Sequence, residues 1–325
     1  MEKYAHFPDD NPFALLEGCQ DTSFVPEQTK RPSVPEYDDI VLEQCYRVGD
    51  GFVRLVDYMG NEASVVRAAR VSYGTGSKGY EKDKGLLYYL LSHEHTTPFE
   101  QVNLAFHVSC PMFVWRQWIR QRTASVNEIS GRYVELPNNV QRVPKASWRL
   151  QSESSKQGSS SEFLSEEAGE ELSWMQDYAN TCARQCYEKA LSLNVAKEQA
   201  RTMLPLSTMT EAYWEIDLHN LLRWLSLRQD SHAQEEIRVF ANVIAAIVAV
   251  GFPRIWEAHR RYDHRKDAIK LTKDQLNWLL AEAVREERLG LLGDAYAPKP
   301  NLDTYKSEKA LAGAIWEDFK NGLIS

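Results

Sequence analysis

The sequence predicts an α+β fold, in which a mixed or antiparallel sheet packs against helices. The main observation is the order of the elements. Predicted strands and helices are interspersed up to about residue 122, whereas helices dominate from residue 174 onward. This order favours an α+β domain over a doubly wound parallel sheet. With 325 residues and no internal repeat, the chain is long enough for one large domain or two ordinary ones.

The first half combines strands and helices. Apolar residues at 52, 53, 55 and 56 indicate a strand that ends in a turn at 59–61. The segment 63–74 has helix-like spacing, and apolar positions 86, 87, 90 and 91 predict a second helix. Alternation over 102–108 predicts another strand, and a helix follows it with Pro111 near its first turn.

In the second half, helices are predicted at 174–194, at about 197–203, at 217–229 and from Ser231. The last carries one apolar stripe and stops at 251–253. The stripe consists of Ile237, Phe240, Ala241, Ile244, Ile247 and Val248. Its ten-residue apolar run, 243–252, is too short to span a bilayer, so we expect a core helix. The Ser- and Glu-rich stretch 151–172 predicts an exposed insertion or flexible loop.

The domain boundaries follow from composition. Residues 1–45, rich in Pro, Asp and Glu, read as an N-terminal extension that is partly ordered at best. The domain spans 46–262, with an insertion at about 145–175, and 263–325 form a helical C-terminal extension.

Charge and cysteine usage limit the function classes. The net charge of −8 argues against a protein that coats nucleic acid or anionic lipid. The five cysteines are scattered and lack a CxxC pair, so we expect reduced thiols and no metal site. No secretory signal begins the chain, which favours a cytoplasmic protein.

An arginine-rich stretch stands out in this acidic chain. The segment RQWIRQRTASVNEISGRY at 116–133 holds four arginines and one acid, Glu128. The helix must end or turn near Gln121 for Arg120 and Arg122 to serve one site, and a polar loop should follow. Guanidinium groups bind phosphate in a bidentate way, so the stretch predicts a site for a small anionic ligand.

Two observations bear on this interpretation. A surface ion-pair network is the competing explanation of the four arginines. The chain also has neither a GxxxxGK[ST] loop nor a GxGxxG motif after a strand, so neither a P-loop nor a Rossmann site is supported.

The motif resembles the signature of the flavin-dependent thymidylate synthases, which is Arg-His-Arg, seven residues and a serine. Here it reads RQR at 120–122, then Ser130. Further blocks agree in order and, apart from the insertion, in spacing: RAARVSYG at 67–74, HEHTTPFEQ at 93–101, RTMLPLSTMTEAYW at 201–214 and LRQDSHAQEEIR at 227–238. The resemblance covers about residues 50–260.

The resemblance implies a methyltransferase that makes dTMP from dUMP. Methylenetetrahydrofolate would donate the carbon, and FAD reduced by NADPH would supply the hydride. The anions that meet the arginines would then be the dUMP phosphate and the flavin diphosphate. It also implies a homotetramer with sites shared between subunits, and a catalytic domain at 46–262.

By motif position, the dUMP site would consist of Gln117, Arg120, Glu128, Ser130, Gly131, Arg132, Arg201 and Arg228. Ser130 and Arg228 would have catalytic roles. A cation at Arg228 would favour loss of the uracil N3 proton, which makes C5 a better carbon nucleophile. A buried ion pair with Asp230 or Glu235 is the alternative for Arg228.

For FAD, the resemblance points to Ser72, His95, Thr97, Arg120, Gln121, Arg122, Glu128, Asp217, His219 and Arg223. Gln121 departs from the family histidine and cannot carry charge. Asp217, His219 and Arg223 also differ from the residues usual in the family. These departures keep open a second function, a non-catalytic nucleotide-binding module. A flavin- and folate-dependent uracil methyltransferase acting on RNA is a further alternative with matching chemistry, but RNA binding needs a broad basic face and this chain is acidic.

Overall fold

The computed structural model describes residues 32–39, 41–71, 80–153, 158–263 and 272–285, and all structural statements concern these residues. The chain divides into two compact units, Met1–Tyr262 and Asp263–Ser325. The strands are β1 Tyr46–Val48, β2 Gly51–Met59, β3 Asn103–Pro111, β4 Ala124–Glu128, β5 Arg149–Gln151, β6 Ser159–Phe163 and β7 Met209–Asp217.

The helices of the first unit are α1 Pro35–Asp39, α2 Glu62–Val71, α3 Tyr80–Ser92, α4 Met112–Trp118, α5 Glu166–Ser192, α6 Lys197–Ala200, α7 Leu218–Arg228, α8 Glu235–Gly251 and α9 Pro253–Tyr262. Short 3₁₀ turns lie at Val41–Glu43, Phe99–Gln101, Lys145–Ser147 and Arg201–Met203. In the second unit, α10 spans Lys273–Arg285, and Thr272 and Gln275 cap it reciprocally.

A five-stranded antiparallel sheet organises the first unit, in the order β1-β2-β3-β7-β4. One face packs against helices because every second residue is apolar: Trp214 and Ile216 of β7 are buried beside Leu104 and Phe106 of β3. The other face is more open, and Tyr213 is 51% exposed there. This arrangement confirms the predicted α+β class.

The core between sheet and helices contains three tryptophans in mutual contact. The Trp118 ring lies 4.8 Å from that of Trp224 and 5.4 Å from that of Trp214. All three side chains are fully buried. They join the end of α4 to α7 and β7, so the arginine stretch after Trp118 begins from a fixed point.

Helix α8 confirms the predicted core helix. All six residues of its apolar stripe are buried, and the helix ends at Gly251, just before Pro253. It begins at Glu235 and not at Ser231. Among the described residues, no helix is long and apolar enough to cross a membrane.

The insertion differs from the expected loop. Residues 149–163 include a two-stranded hairpin, β5–β6, and α5 begins at Glu166, eight residues before the predicted start at 174. Ser165 caps this helix by accepting a hydrogen bond from the Ala168 N–H. The first turns of α5 expose their charged side chains, so no apolar period marks them.

The segment before residue 46 is part of the core where the structure describes it. Val34, Tyr37 and Val41 are buried. The Tyr37 hydroxyl donates a 2.9 Å hydrogen bond to the Ile247 carbonyl of α8. The described residues 34–39 and 41 therefore contribute to the core, although the sequence predicts that residues 1–45 form an extension outside the domain.

Candidate active site

The chain turns directly after α4, as the predicted site requires. The helix ends at Trp118, and Arg120 and Arg122 lie in the turn that leads to β4. The polar loop expected after them is instead the edge strand β4, because residues 124–128 pair with β7. This strand carries Glu128 at its end and separates the arginine turn from Ser130.

An ion-pair network does not explain the arginines. Among the residues the structure describes, Arg132 is the only one of the four with a carboxylate partner, Glu198 at 3.1 Å. Arg116, Arg120 and Arg122 are exposed and have no such partner there. Cations without an acidic partner among the described residues are candidates for binding an anionic ligand.

Arg228, the last residue of α7, lies against the end of α4. One terminal nitrogen donates to the Gln117 carbonyl at 2.6 Å. Its Nε is buried and has no hydrogen-bond partner among the described residues. Burial lowers the pKa of Arg228, and the nearby positive charge of Arg120 lowers it further.

The ion-pair alternative for Arg228 is not what the structure shows. Asp230 instead accepts from the backbone and side chain of His232. Glu235 is paired with Arg149. Two like charges, Arg120 and Arg228, therefore lie near each other without a described acidic partner, an arrangement that an anion would stabilise.

A second cluster forms around Ser130. The Ser130 carbonyl accepts from the N–H groups of Tyr133 and Val134, which closes a turn. Gly131 is buried, and a Cβ there would lie 3.1 Å from Arg201 Cδ and from Leu136 Cδ1. Glycine thus lets Arg201 approach the turn closely.

Glu128 lies between these clusters. Its carboxylate accepts a 2.5 Å hydrogen bond from the Thr210 hydroxyl of β7. Burial raises the pKa of the neighbouring Cys110 thiol, and Glu128 raises it further. Cys110 is therefore a poor thiolate nucleophile.

Gln121 joins a polar chain that reaches α7. Its amide nitrogen donates to Thr123 Oγ1 at 2.9 Å and to Asn220 Oδ1 at 3.2 Å. Asp217 caps α7: its two carboxylate oxygens accept from the backbone N–H and from the side-chain amide of Asn220. Asn220 is absent from the sequence-based prediction, although its position in the first turn of α7, three residues after the capping Asp217, is a usable signal.

His95 and Thr97 lie in an exposed loop after α3. Pro98 starts the turn at Phe99–Gln101, and buried Phe99 anchors it. The Val102 carbonyl accepts from the Leu218 N–H, which brings this loop next to the start of α7. His219 lies in the first turn of that helix, exposed Arg223 lies further along it, and Ser72 lies outside the described residues.

The predicted residues thus form two groups. The 117–122 group comprises Gln117, Arg120, Gln121 and Arg122 with Arg228, and the 130–132 group comprises Ser130, Gly131 and Arg132 with Arg201. The five residues of β4 separate the turn that contains Arg120 from Ser130, and a strand of this length spans roughly 15 Å. Within the described parts of the chain, no hydrogen bond or ion pair joins the two groups.

Known proteins are similar to this chain in sequence and fold. The family described as "Thymidylate synthase complementing protein" matches residues 54–254. A flavin-dependent thymidylate synthase from Wolbachia pipientis wMel is 45% identical over 236 residues, which cover 73% of this chain and 83% of that protein. One from Treponema denticola is 45% identical over 245 residues, with 75% and 90% covered.

A solved structure agrees with these relatives. The UMP/dUMP methylase PolB from Streptomyces cacaoi, bound with 5-Br dUMP, superposes with a TM-score of 0.61 at 28% identity. The match covers 66% of this chain and 96% of that one. The chain therefore belongs to the thymidylate synthase complementing protein family, the flavin-dependent thymidylate synthases that its motif predicts.

Proposed function

We propose that this protein is an FAD-dependent thymidylate synthase that converts dUMP to dTMP. Methylenetetrahydrofolate is the carbon donor and NADPH the reductant. The names of the relatives support the reaction, and the bound 5-Br dUMP of PolB supports the nucleotide. The observation that carries the proposal is Arg228, a half-buried cation beside Arg120 that has no described acidic partner.

The dUMP site uses both groups. Arg228 and Gln117, held together by their 2.6 Å hydrogen bond, contact the uracil edge with Arg120. The cation stabilises the N3 anion and so raises the nucleophilicity of C5. Ser130, Gly131, Arg132 and Arg201 hold the phosphate, because the Ser130 hydroxyl and two guanidinium groups suit a dianion. Glu128 orients the nucleotide between them.

The residues present fit an FAD molecule. The exposed cations Arg120 and Arg122 suit a diphosphate, and His95 and Thr97 lie beside the start of α7, as do Gln121 and His219. Arg223, Glu128 and Ser72 complete the proposed set. Asp217 acts indirectly, by orienting Asn220 toward Gln121. When bound, the flavin supplies the hydride-transfer chemistry, and the chain binds, orients and shields it from water.

Sites shared between subunits of a homotetramer would bring the two groups together. A 130–132 group from one subunit could face a 117–122 group from another, which removes the distance imposed by β4. An exposed apolar face on α5 supports assembly: Trp174 stacks on Tyr178, and Trp174 is 66% exposed beside exposed Met175.

The catalytic domain comprises residues 46–262, joined by the core residues of 34–41. A cytoplasmic location fits the four described cysteines, which are all free thiols.

The first test is the visible absorption spectrum of the purified chain before and after addition of dUMP. A flavin spectrum that dUMP perturbs supports a common site. Formation of dTMP with methylenetetrahydrofolate and NADPH then tests the reaction, with UMP and uracil-containing RNA as competing acceptors. A protein that stays colourless with added FAD would contradict the proposal and favour a non-catalytic nucleotide-binding module.

A further inference from the structure

The hairpin β5–β6 in the insertion contacts the start of α8 through the partly buried guanidinium of Arg149. The Arg149 side chain is 18% exposed and donates from both terminal nitrogens, to Glu235 and to Glu236. The contact to Glu236 measures 2.7 Å. These two glutamates form the first turn of α8, so the hairpin grips the start of this helix.

The base of the hairpin is itself fixed. Trp148, which precedes Arg149, donates from its indole nitrogen to Ser173 Oγ of α5 at 2.9 Å. The Ser173 hydroxyl in turn donates to the Val143 carbonyl. The contacts of Trp148 and Ser173 thus fix the backbone next to Arg149. Because this backbone is fixed, the Arg149 side chain can determine the position of α8.

The start of α8 leads directly to the proposed uracil site. Gln234, immediately before Glu235, accepts a 2.5 Å hydrogen bond from the side chain of Gln117. The Gln117 carbonyl accepts from Arg228 at 2.6 Å. The contacts thus run from Arg149 through the glutamates and Gln234 to Gln117 and Arg228.

Burial makes this link sensitive to Arg149. The second carboxylate oxygen of Glu236 is buried and has no hydrogen-bond partner among the described residues. Without the guanidinium, this carboxylate would lose its cation while remaining partly buried, so the first turn of α8 would have to shift. A shift there moves Gln234 and, through it, Gln117.

We propose that Arg149 is a positioning residue that holds Gln117 and Arg228 in place through Gln234. This inference rests on the proposed function, and it gives the hairpin a role in the reaction. Arg149 does not touch the nucleotide in this account. Its effect should therefore depend on Gln234, and a lysine, which can pair with one glutamate, should replace it in part.

The test uses the full-length, FAD-loaded protein and five variants. Arg149→Met removes the ion pairs with Glu235 and Glu236, and Arg149→Lys keeps a positive charge at this position. Arg142→Met is the matched control, because Arg142 is also paired with one carboxylate, Asp177, but is 62% exposed and has no described contact with Gln234 or Gln117. Gln234→Ala, alone and combined with Arg149→Met, tests the route.

We expect Arg149→Met to lower kcat/KM for dUMP by about 10- to 100-fold per bound flavin, since small misplacements of reacting groups cost this much. Arg142→Met should stay within about 2-fold of the unaltered chain, as an exposed pair contributes little. Arg149→Lys should recover part of the loss. In the Gln234→Ala background, Arg149→Met should have no further effect.

Equal kcat/KM values for Arg149→Met and Arg142→Met would overturn the proposal, as would full additivity with Gln234→Ala. Calorimetric titration with dUMP provides a readout that does not depend on turnover. An unaltered chain that fails to methylate dUMP refutes the proposed function. The positioning role is then decided by binding alone: it requires that Arg149→Met bind dUMP more weakly than Arg142→Met.

Discussion

Arg228 is arranged in a way that costs stability in the absence of a ligand. Its guanidinium is half-buried near Arg120, and both burial and this charge lower its pKa. A lowered pKa of a base means that the folded chain binds the proton less well than the unfolded chain does, at every pH where the group is charged. Such a residue is explained by an anion that it meets only in the complex.

Arg228→Met should therefore separate activity from stability. We expect kcat/KM for dUMP to fall by about 100- to 1000-fold, the usual cost of removing a group that stabilises developing charge. The melting temperature of the ligand-free protein should be unchanged or higher, because an unfavourable buried charge is removed. Scanning calorimetry and initial-rate kinetics measure the two effects. A variant that melts well below the unaltered chain would indicate a structural role for Arg228.

Gln121 stands where the family signature has a histidine, and substitutions at this position test its role. Gln121→His should stay folded and active and should bind FAD several-fold more tightly, because an imidazole can stack on a ring of the bound FAD and carry charge. The control Gln121→Leu loses the donor to Asn220 and should bind FAD more weakly. Fluorescence titration gives both dissociation constants. If Gln121→His is inactive while folded and flavin-loaded, the glutamine has a role of its own.

At the scale of elements, the sequence predicts best where apolar periodicity is strong. The stripe of α8 from Ile237 to Val248 identifies the helix and its end. Strand β7 is not predicted, although Ala212, Trp214 and Ile216 alternate with polar residues, because this run lies between segments with helical spacing. The first turns of α5 are missed for a physical reason, since solvated Ser and Glu residues form a capped helix without an apolar face.

The sequence likewise predicts the residue types of the candidate site but not their contacts. Its arginines and Ser130 follow from the local motif, which depends only on spacing. The contacts of Arg228 with Gln117, and of Gln121 with Asn220, join residues 111 and 99 positions apart. No periodicity encodes such pairs, and the family motif carries residue types but not their partners.

Helix α1 offers a test of the N-terminal segment. Tyr37→Phe should lower the free energy of unfolding by about 1 kcal/mol, because the Ile247 carbonyl loses its hydrogen bond. Tyr37→Ala should lower it by about 3 to 5 kcal/mol, because a fully buried ring is removed from between Tyr58 and Phe252. Urea denaturation measures both. Tyr133→Phe, at an exposed ring, is the control and should have no effect.

Strand β4 separates the 117–122 group from the 130–132 group within one chain, so it matters whether one nucleotide can bind both groups. One chain holds Arg228 and Gln117 on one side of this strand and Ser130 with Arg201 on the other, without a described contact between them. A single nucleotide has a base and a phosphate, and these would bind different groups. In the proposed homotetramer, sites shared between subunits would let both groups act on one ligand.

Complementation between two inactive variants decides whether the sites are shared. Arg228→Met destroys only the 117–122 group, and Arg201→Met destroys only the 130–132 group. When equal amounts are co-expressed and assemble at random, about one quarter of shared sites should combine two intact groups. The mixed oligomers should therefore regain about a quarter of the normal dTMP formation, although Arg228→Met alone keeps at most about 1% of it. Co-expression of Arg228→Met with the double variant is the control and should give none. If the mixture is as inactive as this control, each site is built within one chain, and the two groups must then approach each other by a rearrangement around β4.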